Sequence, residues 1–233
     1  MSRTLILVRH HEPPDDDRVQ AFAEAQGFTP LNLRPYAGDR LPDLTPDIAG
    51  AVIFGGRQSA ADEVSYPYLT GEMDWIRLGL AADLPMLGIC LGAQMIIRVL
   101  GGQVGPMPGD LHEFGYYPVT PTVEGRAFLP GPLHVTEAHY HSFSLPAGVT
   151  LLASGEGCAN QAFRYGDKVY GVQFHPECTP QIFRRWQGSE QAAYGQPGAQ
   201  SRDEQDRLMA LHDAAQGAWF NDFLARLFVP PAV

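Results

Sequence analysis

The sequence predicts an α/β fold: a mostly parallel central sheet flanked by helices in three layers, with a small antiparallel β extension. Three observations predict it. Apolar strand-like runs alternate with helical patterns from Thr4 to Gly102. A strand–turn–helix unit, PMLGICLGAQMIIRVLGG at Pro85–Gly102, closes that series. Beyond Gly102 the pattern changes to short, turn-punctuated strand candidates. The 233 residues are within reach of one domain over 1–233, and 45% apolar residues suffice for one interior.

Thr4–Val8 is the first expected strand; it runs into Arg9-His10-His11-Glu12. In open parallel sheets ligands bind beyond the carboxyl ends of strands, so this segment is expected near a site rim. Adjacent residues in a loop chelate poorly, so no metal site is expected from His10, His11 and Glu12. The acidic run Asp15–Asp17 can cap a helix over Arg18–Gln26 that ends at Gly27. Thr29–Arg34 is the second strand and Pro35–Pro46 a loop. Ala51–Phe54 is a buried strand leading into Gly55-Gly56, where the missing side chains let backbone approach a ligand. Tyr68–Ala82 is an amphipathic helix with Met73, Ile76 and Leu80 on its stripe.

In the second half the expected strands are Gln103–Val104, Glu113–Thr120, Leu133–Val135, Leu151–Ala153, Gln161–Tyr165 and Val169–Phe174. His139 and His141 on one strand would share a face, but no third ligand has suitable spacing, and no metal is expected. Gln187–Gln200 reads as a flexible connection. Ser201-x-x-Glu204 is a capping box opening a long C-terminal helix, about 202–228, docked on the domain. Its expected buried stripe is Leu208, Leu211, Ala215, Trp219, Phe223 and Leu227, with a bend allowed at Gly217.

Net charge is −10, which argues against nucleic acid or an anionic membrane as partner. No apolar run approaches the roughly 18 residues of a spanning helix. The apolar run before Arg9 is too short for a signal-peptide core. Cys90, Cys158 and Cys178 are an odd, sparse set, as expected in a reducing cytoplasm. Cys178 is expected to be filler rather than a redox partner of Cys90.

Cys90 stands between Gly88 and Gly92, where an apolar strand turns into a helix. Gly-x-nucleophile-x-Gly is the elbow pattern, with Cys in place of Ser. A nucleophile at a helix's first turn has its thiolate favoured by free N–H groups and the macrodipole. By itself this stretch could equally be a strand–turn–helix with a buried cysteine. Gly171–Glu177, GVQFHPE, supplies the other parts. Read as a strand, it projects His175 and Glu177 to one side, a base and its orienter for Cys90. An ordinary serine α/β-hydrolase is disfavoured, because there the acid precedes the base.

LGICLGAQ and GVQFHPE resemble the two signatures of class I glutamine amidotransferase domains, with segment order agreeing from Leu5 to about Gln187. Within that family the likeness is to stand-alone domains similar to the glutaminase half of GMP synthetase. The resemblance implies a flavodoxin-like fold and a Cys90–His175–Glu177 triad. It implies an oxyanion hole from the amides of Gly56 and Leu91, and substrate contacts from Gly55, Gln94 and the backbone of Ser142 and Phe143. The family often has Pro after the two glycines, where this chain has Arg57. The implied reaction is hydrolysis of the glutamine side-chain amide through a γ-glutamyl thioester, with no cofactor. No nucleotide-binding stretch is visible, so the ammonia acceptor is expected on a separate synthetase. The alternatives are a stand-alone hydrolase of γ-glutamyl amides or peptides, and a catalytically silent binding domain.

Overall fold

A computed structural model describes residues 3–190 and 192–229. The strands are β1 (Thr4–Val8), β2 (Thr29–Leu33), β3 (Ile48–Ile53), β4 (Met86–Ile89), β5 (Val104–Pro106), β6 (Glu113–Pro121), β7 (Leu133–His139), β8 (His141–Phe143), β9 (Val149–Gly155), β10 (Ala162–Tyr165) and β11 (Val169–Val172). The helices are α1 (Arg18–Ala25), α2 (Tyr68–Ala81), α3 (Leu91–Val99), α4 (Pro180–Gln187) and α5 (Arg202–Phe228).

Nine strands form one sheet in the order β2-β1-β3-β4-β11-β10-β9-β6-β7. The first five pair in parallel. The remaining four continue the same sheet in antiparallel fashion. The central sheet is therefore mixed, with its parallel strands at one side and its antiparallel strands at the other. A separate two-stranded antiparallel sheet joins β5 and β8.

Every residue of β3 is buried, as expected for an inner strand covered on both faces. One face carries Leu5, Leu7, Val52 and Leu87 against Phe22 of α1 and Phe220, Phe223 and Leu224 of α5. The other carries Ile6, Val8, Ile53 and Met86 against Met73 and Ile76 of α2 and Met95 and Ile96 of α3. These are the three layers. Asp17 caps α1 by accepting from the amides of Val19 and Gln20 at 2.9 and 3.0 Å. Ser201 caps α5 through the amide of Glu204.

Two expectations are corrected, and one helix is present that the sequence reading did not place. The strand expected to reach Phe174 ends at Val172. Residues 180–187 form α4, with Thr179 as N-cap and Pro180 in the first turn. Helix α5 runs through Gly217 without interruption, and its buried face differs from the apolar stripe. Leu211 is 63% exposed, while Gln205 and Gln216 are fully buried. Gln216 earns that position by hydrogen bonding: Oε1 accepts from the Thr136 amide at 2.6 Å and Nε2 donates to Thr136 Oγ1 at 3.0 Å. Among the described residues no helix is long and apolar enough to cross a membrane.

Candidate active site

The carboxyl ends of β1, β3, β4 and β11 border one cleft with a volume of about 1030 Å³. Cys90 follows β4 directly and is the N-cap of α3. Its backbone lies at φ 48°, ψ −104°, a conformation that costs a non-glycine residue about 1–3 kcal/mol. The neighbours hold it there. The Cys90 amide donates to Val172 O at 2.8 Å, and Cys90 O accepts from the Gln94 amide at 3.0 Å. A Cβ on Gly88 would lie 2.6 Å from the Ala93 nitrogen, and one on Gly92 only 2.0 Å from Ile53 O. The elbow thus needs both glycines for backbone closeness.

His175 lies beyond the end of β11, and its geometry comes from a turn rather than from strand alternation. The Cys178 amide donates to His175 O at 3.2 Å, closing a turn with Pro176 and Glu177 at its centre. His175 Nδ1 lies 2.8 Å from Glu177 Oε1. The carboxylate accepts, so Nδ1 carries the proton and the other ring nitrogen is left for Cys90, whose charge also acts on the imidazole. Two further contacts fix this segment: the His175 amide donates to Thr136 O at 2.7 Å, and the Arg18 amide to Glu177 O at 3.0 Å. The Trp186 ring packs edge-on against the imidazole at 4.9 Å.

Burial disfavours the imidazolium, but Glu177 and Cys90 outweigh it and push the His175 pKa up from 6.5 to about 10. The folded state therefore holds this proton where the unfolded chain releases it. The stabilisation is complete below about pH 6.5 and is lost as pH rises towards about 10. Urea unfolding at pH 6.5 and pH 9.5 is expected to show this loss, and His175→Gln to flatten it.

Gly55 abuts both partners. A Cβ there would meet His175 Cε1 at 2.6 Å and Cys90 Cβ at 3.4 Å. Gly56 lies beside Leu91, whose Cδ2 would be 2.8 Å from a Cβ on Gly56. The two residues expected to offer oxyanion amides are thus neighbours. Gln94 is buried, not solvated; its Nε2 donates to Gln173 Oε1 at 3.1 Å. Gln173 in turn places its Nε2 3.4 Å from Cys90 Sγ. Sequence reasoning missed Gln173, since a glutamine beside a strand end carries no pattern. It also missed Trp186, although Thr179-Pro180 was a readable helix start.

Ser142 and Phe143 are not brought to the cleft by their side chains. Phe143 is buried in the core, and Ser142 Oγ contacts Cys158 Sγ at 3.3 Å. The cleft wall there is formed by Tyr140 and His141. Arg57 is exposed at the rim.

His10, His11 and Glu12 diverge. His10 turns inward to Phe54 O and Glu72, His11 is exposed, and Glu12 accepts from the Tyr36 hydroxyl at 3.0 Å. His139 and His141 also part. His141 Nδ1 meets Ser59 Oγ at 3.1 Å, while His139 sits in a buried group with Glu113, Glu137 and Cys158. There Nε2 lies 2.9 Å from Glu113 Oε2 and 3.0 Å from Glu137 Oε2, and Nδ1 donates to His141 O at 2.9 Å. These are hydrogen-bond separations; two ligand atoms of a tetrahedral zinc stand roughly 3.3 Å apart. Burial and the Glu113 charge push the Glu137 pKa up to about 7. Cys178 is fully buried, and burial raises its thiol well above the usual range, as befits filler.

Comparison with known proteins adds a second line of observation. The family model for class-I glutamine amidotransferases matches residues 31–185, more than half of the chain. A glutamine amidotransferase-like protein of Salmonella typhimurium, YfeJ, is 37% identical over 166 residues, covering 68% of this chain and 69% of that protein. A glutamine-hydrolysing GMP synthase of Porphyromonas gingivalis is 34% identical over 147 residues. That match covers 61% of this chain but only 27% of the synthase. The crystal structure of a glutamine amidotransferase from Thermotoga maritima superposes with a TM-score of 0.82 at 27% identity, covering 99% of this chain and 100% of the other.

Proposed function

We propose, from the premise that this chain belongs to the class-I glutamine amidotransferase family, that it hydrolyses the glutamine side-chain amide and releases ammonia to an acceptor on a separate synthetase. The observation that carries the reading is Cys90 at positive φ in one cleft with a His175 that Glu177 orients at 2.8 Å.

In this reading the Cys90 thiolate attacks the amide carbon and the carbonyl oxygen becomes an oxyanion. The amides of Gly56 and Leu91 stabilise it, each by roughly 2.7–4 kcal/mol. The imidazolium of His175 gives its proton to the departing nitrogen, which leaves as ammonia. The neutral ring then takes a proton from water as the hydroxyl attacks the thioester, and glutamate leaves from Cys90. Glu177 keeps the tautomer and stabilises the cation. Gly55 and Gln94 line the substrate pocket, and Ser142 and Phe143 support the Tyr140–His141 wall from behind.

One observation favours a second reading. The cleft, about 1030 Å³, stands at the upper end of the roughly 300–1,000 Å³ that accommodates drug-sized ligands, more than glutamine alone needs. Hydrolysis of larger γ-glutamyl amides or peptides, with water as acceptor, uses the same triad.

The test is ammonia release from glutamine and from γ-glutamyl amides, with a glutamine-analogue electrophile mapped by mass spectrometry. Turnover with labelling at Cys90 supports the reading, and the preferred amide separates its two forms. Labelling without turnover points to a partner-dependent enzyme. Absence of both, with no γ-glutamyl adduct on Cys90, would leave a silent binding domain.

A further inference from the structure

We propose that His10 and Glu72 are positioning residues for the oxyanion strand, holding Phe54-Gly55-Gly56 at the height the reaction requires; this rests on the hydrolytic reading above. His10 follows β1 and is 6% exposed; Glu72 lies on α2 and is 1% exposed. His10 Nδ1 lies 3.1 Å from Phe54 O, and Nε2 lies 2.8 Å from Glu72 Oε2. A carbonyl oxygen only accepts, so Nδ1 is the donor and the ring orientation is set. Phe54 is the last residue before the glycines, and its own amide donates to Val8 O at 2.9 Å. The Phe54 carbonyl shares a rigid plane with the Gly55 amide, so gripping one end fixes the other.

A second contact reaches the next residue. A Cβ on Gly56 would lie 2.7 Å from His10 Cβ, so His10 also limits how far Gly56 can recede. Two glycines in succession are the part of the site with most backbone freedom, and the site where an oxyanion donor must stay within a few tenths of an ångström. His10 acts on both of them while touching neither Cys90 nor His175 among the contacts described. Glu72 acts one step further back, with its Oε1 unpartnered and the Tyr68 ring stacked on His10 at 6.4 Å. The chain thus couples the outer helix α2 to the oxyanion loop through two side chains.

The side-chain geometry gives a discriminating pair. The Asn amide nitrogen of His10→Asn occupies the place of Nδ1 and can still donate to Phe54 O. That of His10→Gln occupies the place of Nε2 and reaches Glu72 instead. His10→Gln is expected to lower kcat for γ-glutamyl amide hydrolysis about 10²-fold, the effect of losing one oxyanion donor, with KM little changed. His10→Asn is expected to recover about tenfold of that loss. Alkylation of Cys90 by iodoacetamide develops no oxyanion and should keep the wild-type rate in both.

Equal kcat in the two variants, or a parallel fall in alkylation, would overturn the proposal. Wild-type kcat in His10→Gln would do the same while leaving the hydrolytic reading intact. A wild-type protein that turns over no γ-glutamyl amide would instead overturn that reading, and this inference with it. Should the His10 variants fail to fold, Glu72 carries the test. Glu72→Gln can keep a hydrogen bond to His10 Nε2 and should retain more kcat than Glu72→Leu; equal values would overturn the proposal.

Discussion

Cys90→Ala is expected to remove amide hydrolysis, lowering kcat by at least about 10⁴-fold, while the protein folds as before. The chemistry needs a nucleophile that forms and releases an acyl bond, and neither Cys158 nor Cys178 can replace it. Both are buried, Cys158 against Ser142 and Cys178 donating to Thr179 O at 3.5 Å. Alanine keeps the Cβ, so the packing of the elbow changes by one sulfur. The same substitution removes one of the two groups that hold the His175 proton, so the imidazole pKa should fall from about 10. Steady-state assay, thermal melting and an NMR titration of His175 test the three parts separately. Hydrolysis at the wild-type rate in Cys90→Ala would end the nucleophile assignment.

Gly92→Ala is expected to be among the most destabilising single-methyl additions in the chain, at about 3 kcal/mol or more. The added Cβ would sit 2.0 Å from Ile53 O and 2.7 Å from Ile53 C. These are backbone atoms of an inner strand, so no rotamer relieves the clash, and α3 must part from β3. For a chain of this size the melting temperature should fall by about 6–12 °C or more. Gly71→Ala is the matching control. Gly71 is exposed within α2, and nothing lies within 4 Å of a Cβ placed there. Alanine at that position is expected to stabilise by up to about 1 kcal/mol. If Gly92→Ala melted with Gly71→Ala, the close approach of α3 to β3 would be wrong.

The legibility of this chain divides along physical lines. Cys90, His175 and Glu177 were readable because tight backbone packing and acid–base chemistry restrict residue type at short spacing. The means by which His175 meets Glu177 was misread, since Val172 to Glu177 alternates like a strand but leaves the ladder at Val172 and closes a turn. Buried glutamines were opaque. Gln173, Gln205 and Gln216 look solvent-facing in a pattern of apolar residues, and become interior through partners far away in the sequence, such as Gln94, Phe114 and Thr136. Arg9 is the same case with a charge: it is fully buried over the Phe54 ring and pairs with Asp17 at 2.6 Å. The order in which β9, β6 and β7 join the central sheet was not readable, because their pairing is long-range and local periodicity does not encode it.

The Cys90 amide and Val172 O share one rung between neighbouring strands. Cys90 and His175 are 85 positions apart along the chain, yet they are joined by a single inter-strand hydrogen bond and a three-residue step from Val172. The intervening polypeptide is therefore dispensable as a tether. A chain cut at the exposed Val123, between β6 and β7, would still bring thiol and imidazole to the same places. Breathing of the sheet would carry the two as one body. Adaptation to different acyl donors is left to the parts that do not share the rung: the glycine pair before Arg57 and the wall at Tyr140.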